Sequence, residues 1–383
     1  MHTADRIKCC PDGLITKRKN RIKILDCTIR DGGICNDWHF SDQEVADTYN
    51  GLNDAGIDYM EIGYRTASGA FNRENVGSWR FCTEEDLANV MRLASRQTNI
   101  TPLLQGTGEH RIKLSTMVDI GRITTSDIPP KGDTVIDVIR IATYAHQLDE
   151  AQRILDHCLN MGYETFMNVM AVSTLTPDKV DVFLKRLASS GTHNVAIVDS
   201  FGALFPHHMR YLVRKYRSIL GEDIGLGVHC HNNQQQAFAN SIAAIDAGVD
   251  FVDATITGMG RGAGNCPLEL LLFYLESPKF EVEPILSLAE QFADRRDELR
   301  WGYQLPYAVT GYYNLHPKVG IERVASERPN LAIDLFERFA QRDSIVSAKA
   351  PHPRDPEQQK HSDDSDDKGL SLKSRAQNNS KAG

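Results

Sequence analysis

The 383-residue sequence predicts a closed (β/α)8 TIM barrel with a helical C-terminal extension. Three observations predict it. Short β-rich runs alternate with longer amphipathic segments between about residues 22 and 275. Glycines punctuate the ends of the helical segments, and charged residues collect at the C-terminal ends of the strands.

The candidate strands are 22–27 (IKILDC), 58–63 (DYMEIG), 112–118 (IKLSTMV), 135–142 (VIDVIRIA), 164–170 (ETFMNVM), 194–199 (NVAIVD), 225–230 (GLGVHC) and 250–255 (DFVDAT). The stretch 101–105 (TPLLQ) competes with 112–118 for the third place. Helical patterns lie between them at 42–55, 84–95, 147–161, 177–190, 207–219 and 234–247. Asp42 with Glu44, and Thr83 before Glu84, Glu85 and Asp86, mark helix starts, because carboxylates favour the positive end of a helix. Gly56, Gly162, Gly191 and Gly248 follow helical runs, where C-terminal caps belong. Eight β-then-α units favour a closed barrel over an open doubly wound sheet.

The chain divides into an N-terminal segment 1–21, the barrel 22–275, a helical extension 276–346 and a polar stretch 347–383. The last has almost no apolar side chains to offset its ordering entropy, so a disordered tail is expected.

Hydrophobic content of 41% and charged content of 25% suit a soluble globular chain. A net charge of −8 argues against nucleic-acid and membrane-surface partners. No run reaches the roughly 18 apolar residues of a membrane span. The N-terminus lacks a signal-type apolar core, so a cytoplasmic location is expected. The eight cysteines are scattered without a C-x-x-C pair, which favours free thiols; Cys9-Cys10 is read as part of a mobile segment.

The strand ends carry Arg30 and Asp31, then Glu61 and Arg65, Arg140, Asn168, Asp199 with Ser200, and His229 with His231. Residues two apart on a strand face the same way, so His229 and His231 can share one divalent ion, with Asp31 completing a facial triad. Each element has a plainer reading: a core histidine pair, a salt-bridged loop, a helix cap at Asp199. Their convergence on one end of one barrel favours a site. After the eighth strand, TGMGRGAGNCPLE (257–269) sets four glycines within seven residues, which lets backbone approach a ligand, either as a phosphate cradle or, next to a metal site, as a wall that holds Asn265 toward the ion.

These residues resemble a family. D-C-T-I-R-D-G at 26–32, H-C-H-N-N with A-x-A-N at 229–240, and G-M-G-R-G-A-G-N-x-P-L-E at 258–269 are similar to the DRE-TIM metallolyases, the HMG-CoA lyase-like group, over roughly 22–275. The resemblance implies a divalent cation, Mn²⁺ or Mg²⁺, on Asp31, His229 and His231, with Asn265 as a fourth ligand and Arg30 at the enolate oxygen. Within the group, the chain resembles the 4-hydroxy-2-oxovalerate aldolases most. Asn233 stands where the Claisen-type synthases carry an acid, and Tyr313 falls near a tyrosine those aldolases use, with Tyr312 competing. One departure stands out: Ile34 occupies the aldolases' histidine-base position. The base is then His39, Asp37, a tyrosine or hydroxide on the metal, and Asn36 and Trp38 line the substrate pocket. Glu61, Arg65, Arg140, Asn168 and Asp199 are the further substrate-binding candidates.

The expected activity is a metal-dependent carbon–carbon lyase taking a 2-oxo acid and an aldehyde. The alternatives are an acyl-CoA/2-oxo acid synthase and a catalytically weakened scaffold barrel. The expected partners are a second copy of the chain, with 276–345 as a dimer surface, and a paired dehydrogenase.

Overall fold

A computed structural model of the chain describes residues 19–72, 74–94, 112–326 and 331–347. Eight parallel strands close into a barrel in sequence order: β1 (Lys23–Asp26), β2 (Tyr59–Tyr64), β3 (Lys113–Asp119), β4 (Val138–Thr143), β5 (Glu164–Val169), β6 (Asn194–Asp199), β7 (Gly225–Cys230) and β8 (Phe251–Ala254), with β8 pairing back to β1. The strands expected from sequence are thus in place. The competing stretch 101–105, Cys9-Cys10 and the polar segment from residue 348 lie outside the described residues.

Helices Asp42–Asp54, Glu84–Ala94, Leu148–Asn160, Pro177–Ala188, Pro206–Leu220, Ala237–Ala247 and Leu268–Leu275 cover the barrel. The first opens on a capping box, in which the Ser41 hydroxyl accepts from the Glu44 amide and the Glu44 carboxylate accepts from the Ser41 amide. Thr83 and Asp86 make the same exchange at the second. One unit differs from the expected repeat. Between β3 and β4 the chain forms only two 3-10 turns, Thr125–Asp127 and Lys131–Asp133, because Pro129, Pro130 and Gly132 interrupt any helix there. The extension is helical as expected, with its longer helices at Glu283–Ala293, Leu305–Tyr312, Lys318–Ala325 and Leu331–Ser347. Among the described residues, no helix is long and apolar enough to cross a membrane. The six described cysteines are free thiols.

Strand register decides what faces the barrel axis. Leu25 pairs with Tyr59, Arg140 with Phe166, Val198 with His229 and Gly227 with Phe251, so these positions and those two residues away share the inner wall. The floor is apolar, with Tyr59, Phe166 and Phe251 meeting edge to face at centroid distances of 5.0–6.3 Å. Two residues further along β2, β7 and β8 stand Glu61, His229 and Asp253, and Arg140 of β4 reaches Glu61 and Asp253 from its register beside Phe166. A β-bulge in β2 follows Glu61 directly, where the chain leaves the regular ladder. The wall therefore changes from hydrocarbon to charge within one inward step.

Candidate active site

Asp31 lies on the short helix Thr28–Gly32 that follows β1. Asp26 starts that turn: its carboxylate accepts from the Thr28 amide at 3.0 Å and the Thr28 hydroxyl at 2.6 Å. Trp38 braces it from outside, its indole N–H donating to the Arg30 carbonyl at 2.9 Å. The indole fits because residue 33 is glycine; a Cβ there would stand 2.1 Å from the Trp38 ring.

His229 ends the inner face of β7 and His231 follows two residues on, their rings edge to face at 4.9 Å. His229 Nε2 is 3.7 Å and His231 Nδ1 is 4.0 Å from Asp31 Oδ2. The loop after β8 closes the other side. Asn265 Nδ2 donates to Asp31 and to the Met259 carbonyl, and a Cβ on Gly260 would lie 2.2 Å from that amide nitrogen. Only a glycine lets the loop lie so close.

Below these groups the charges form a closed circuit. Arg30 donates from Nη1 to Asp31 (2.8 Å) and from Nε to Glu61 (2.6 Å). Arg140 donates to Glu61 (3.1 Å) and Asp253 (2.5 Å). The Asp253 carboxylate also takes a hydrogen bond from His229 Nδ1 (3.0 Å), and His229 returns to Asp31. All six residues are buried. Burial alone would raise the Asp31 carboxyl, but Arg30, then His231, His229 and Arg261, hold it below the ordinary range. Burial, then Arg261, push the His231 imidazole well below its ordinary pKa against the pull of Asp31. It is therefore neutral, the form that can ligate a cation.

The donor set fits a divalent cation. Asp31, His229 and His231 offer ligand atoms that all lie within 4.8 Å of one another. Two ligands on one ion at about 2.1 Å each stand roughly 3–4 Å apart, so these spacings suit a shared ion better than direct hydrogen bonds. A carboxylate only accepts, so Asp253 places the His229 proton on Nδ1 and turns the Nε2 lone pair toward Asp31. His231 Nδ1 and Asn265 Oδ1 are buried without any hydrogen-bond partner. A second grouping, Cys27 with His229 and Asp253, is a poorer fit. Burial pushes the Cys27 thiol well above its ordinary pKa, and its S–H points to the Ala254 carbonyl.

The other sequence candidates are distributed as follows. Glu61 and Arg140 belong to the circuit. Arg65 is paired with Glu84 (2.5 Å) and the Cys82 carbonyl. Asp199 accepts from the amides of Ala203 (3.1 Å) and Leu204 (3.2 Å), tying down the turn after β6. Asn168 is buried on the inner wall with Oδ1 unpaired. Asn36 donates to the His39 carbonyl, and the His39 side chain is exposed on that loop. Tyr313 packs with Tyr312, Phe336 and Phe339 among the C-terminal helices; Tyr312 borders a surface groove with Val172 and Tyr211.

Sequence reading passed over three residues, Asp253, Arg261 and Tyr307, and left the structural role of Asn233 unread. Asp253 looked like one position in an ordinary strand, although a carboxylate of inward parity beside His229 was the available signal. Arg261 was hidden among the loop glycines. Tyr307 is buried against Gly262, beside the loop. Asn233 donates to the Tyr307 carbonyl and the Thr310 hydroxyl, both at 3.3 Å, and so seats helix Leu305–Tyr312 on the turn that follows His231.

Comparison with known proteins agrees with this geometry. The HMGL-like family model matches residues 21–292, well over half of the chain. The chain belongs to the HMGL-like family. Oxaloacetate decarboxylase of Mycobacterium tuberculosis is 29% identical over 263 residues, covering 69% of this chain and 72% of that protein. A 4-hydroxy-2-oxovalerate aldolase of Carboxydothermus hydrogenoformans is 27% identical over 325 residues, 82% of this chain and 91% of its own. Among solved structures, the N-terminal domain of a candidate aldolase from Bacteroides vulgatus shares 30% identity at a TM-score of 0.69, covering 82% of this chain and 99% of that one. The carboxyl transferase domain of Rhizobium etli pyruvate carboxylase, at 17% identity and a TM-score of 0.59, shares the fold. The curated relatives of this HMGL-like barrel are lyases and aldolases, in agreement with the enzyme class expected from its sequence.

Proposed function

We propose that this HMGL-like barrel is a divalent-cation-dependent aldolase or lyase that breaks or forms a carbon–carbon bond next to the carbonyl of a 2-oxo acid. The observation that carries the reading is the juxtaposition of Asp31, His229 and His231, with two buried lone pairs unpaired, beside the Arg30 guanidinium. These three residues would hold Mn²⁺ or Mg²⁺, with Asn265 as fourth ligand. When bound, the cation acts as a Lewis acid that stabilises negative charge on the carbonyl oxygen.

The chain's own groups do the rest. Arg30 is held by Glu61 and Asp31 through Nε and Nη1, so its remaining edge is fixed toward the forming enolate oxygen, where a preorganised donor is most effective. Asp253 and Arg140 keep His229 in its ligating tautomer. Asn168 and Asn36 offer the neutral polar contacts for substrate. Tyr307 is the tyrosine of the extension that we place at the mouth, in preference to Tyr313. Burial, with Cys35 nearby, pushes its phenol up to about 12, so it stays protonated and available as a hydrogen-bond donor. The same enolate forms whether the fragment that leaves is an aldehyde or carbon dioxide, which accommodates relatives of both kinds. The reading also keeps the expected self-association, at the C-terminal helices, and the paired dehydrogenase.

The test has two arms. Purified protein should bind Mn²⁺ and Asp31→Asn should not; equal metal content in the two would sink the site. A coupled assay for released pyruvate over a panel of 4-hydroxy-2-oxo acids should show turnover by the wild type and none by Arg30→Ala.

A further inference from the structure

Arg261 differs from four other arginines of the barrel. Arg30, Arg65, Arg80 and Arg140 each bond a carboxylate. Arg261 bonds none among the described residues. Its Nη2 donates to the Ser200 carbonyl at 2.6 Å and lies 3.4 Å from His231 Nε2, and its Nε is buried without a partner. A guanidinium offers five donors, and one carbonyl leaves most of them unused. The Asp31 charge reaches Arg261 without bonding it, and a partly buried guanidinium with donors left unused is costly, so such a group points to an anion that arrives from outside.

Position and charge say which anion. Arg30 flanks the ligand trio at Asp31, and Arg261 flanks it on the other side, behind the His231 ring. The buried circuit sets two arginines against three carboxylates, an excess of one carboxylate. A divalent cation reverses that to one positive charge, and Arg261 makes it two. A 2-oxo acid with one carboxylate neutralises half of this; one with two carboxylates neutralises all of it. Ligation also frees the arginine. His231 can offer the Nδ1 lone pair only with its proton on Nε2, and an Nε2–H cannot accept from Arg261.

We infer that Arg261 is the docking group for a second carboxylate, and that the substrate is a 2-oxo dicarboxylic acid whose distal carboxylate lies on the His231 side of the mouth. This inference rests on the cation-dependent reading above.

Binding of matched acids to the Mn²⁺-loaded protein tests it. Titration calorimetry compares 2-oxoglutarate with 2-oxopentanoate and 2-oxoadipate with 2-oxohexanoate, so that neither chain length limits the result. Wild type should favour the dicarboxylate of at least one pair by roughly 10- to 100-fold, the scale of a charge-assisted hydrogen bond. Arg261→Gln should lower that acid to the level of its monocarboxylate partner and leave the partner unchanged. Arg261→Lys should retain part of the preference, because it keeps the charge without the fork. Mn²⁺ content and thermal unfolding, measured in parallel, should not change. No preference in the wild type would overturn the inference while leaving the cation-dependent reading intact. An equal loss for both acids in Arg261→Gln would also overturn it, by moving Arg261 to the 2-oxo end. Failure of the wild type to bind Mn²⁺ or any of the acids would remove both readings together.

Discussion

Asp253→Asn removes one charge from the circuit and keeps the shape of the side chain. In the native site one carboxylate oxygen accepts both from Arg140 (2.5 Å) and from His229 Nδ1 (3.0 Å). Burial would raise this carboxyl, but Arg140 and His229 hold it below its ordinary pKa, so it is charged at neutral pH. The amide oxygen can take the place of that carboxylate oxygen and face both donors, but it carries no charge and accepts more weakly. The His229 proton is then held on Nδ1 less firmly, and on Nε2 it blocks the lone pair that faces Asp31. Arg140 keeps Glu61 as its one charged partner. Outer-shell changes of this kind typically cost 10- to 100-fold in metal affinity, or ~1.4–2.7 kcal/mol. Competition of the apoprotein with a chelator for Mn²⁺ measures that loss directly. Nitrogen NMR of the imidazole should show the wild-type proton on Nδ1 and a shifted population in the variant. An affinity within twofold of wild type, with the tautomer unchanged, would refute the assigned role of Asp253.

Three other outcomes follow from the same geometry. Gly33→Ala drives a methyl into the Trp38 ring, which its bond to Arg30 holds in place, and should cost ~1–3 kcal/mol in urea unfolding; adding Trp38→Ala should relieve part of that cost, and strictly additive losses would contradict the clash. Asn233→Asp replaces the donor to Tyr307 and Thr310 with a carboxylate, so helix Leu305–Tyr312 should loosen by ~1–3 kcal/mol and become protease-sensitive; an unchanged cleavage pattern would mean that other contacts hold it. Burial, opposed by the amides of Leu204, Ala203 and Gly202, raises Asp199 from 3.8 to about 7. Between those values the folded protein keeps a proton that the unfolded chain has released, so this group's contribution to stability falls as pH rises, by at most ~1.4 kcal/mol per unit. Asp199→Asn should therefore gain on the wild type across that window in unfolding experiments, whereas a pH-independent difference would leave Asp199 unshifted.

What the sequence revealed followed from how local each signal is. The barrel was legible because each strand and each helix start carries its own pattern, from the run NVAIVD to the exchange at Ser41 and Glu44. Asp31, His229 and His231 were legible as a set because parity along a strand and position at a strand end are both readable one residue at a time. Asp253 needed the register of β7 against β8, and Arg261 needed the absence of a carboxylate, which no linear pattern records. Trp38 shows the limit from the other side. An aromatic two residues after a candidate pocket asparagine suggests a pocket wall, but the space left by Gly33 turns it inward as a brace. Tyr313 was placed by a loose match just past the end of a helix whose seating depends on Asn233, a contact between residues about eighty apart.

The circuit of Arg30, Glu61, Arg140, Asp253, His229 and Asp31 also constrains how this barrel can evolve. Its acidic and basic members alternate, so any single change of sign sets like charges side by side in a medium that screens them poorly. Positions 61, 140 and 253 lie on three strands, far apart in the chain, yet they can drift only as linked pairs. Relatives should accordingly vary these residues together, and a lineage that neutralises Glu61 should be found to have neutralised a neighbour in the ring as well.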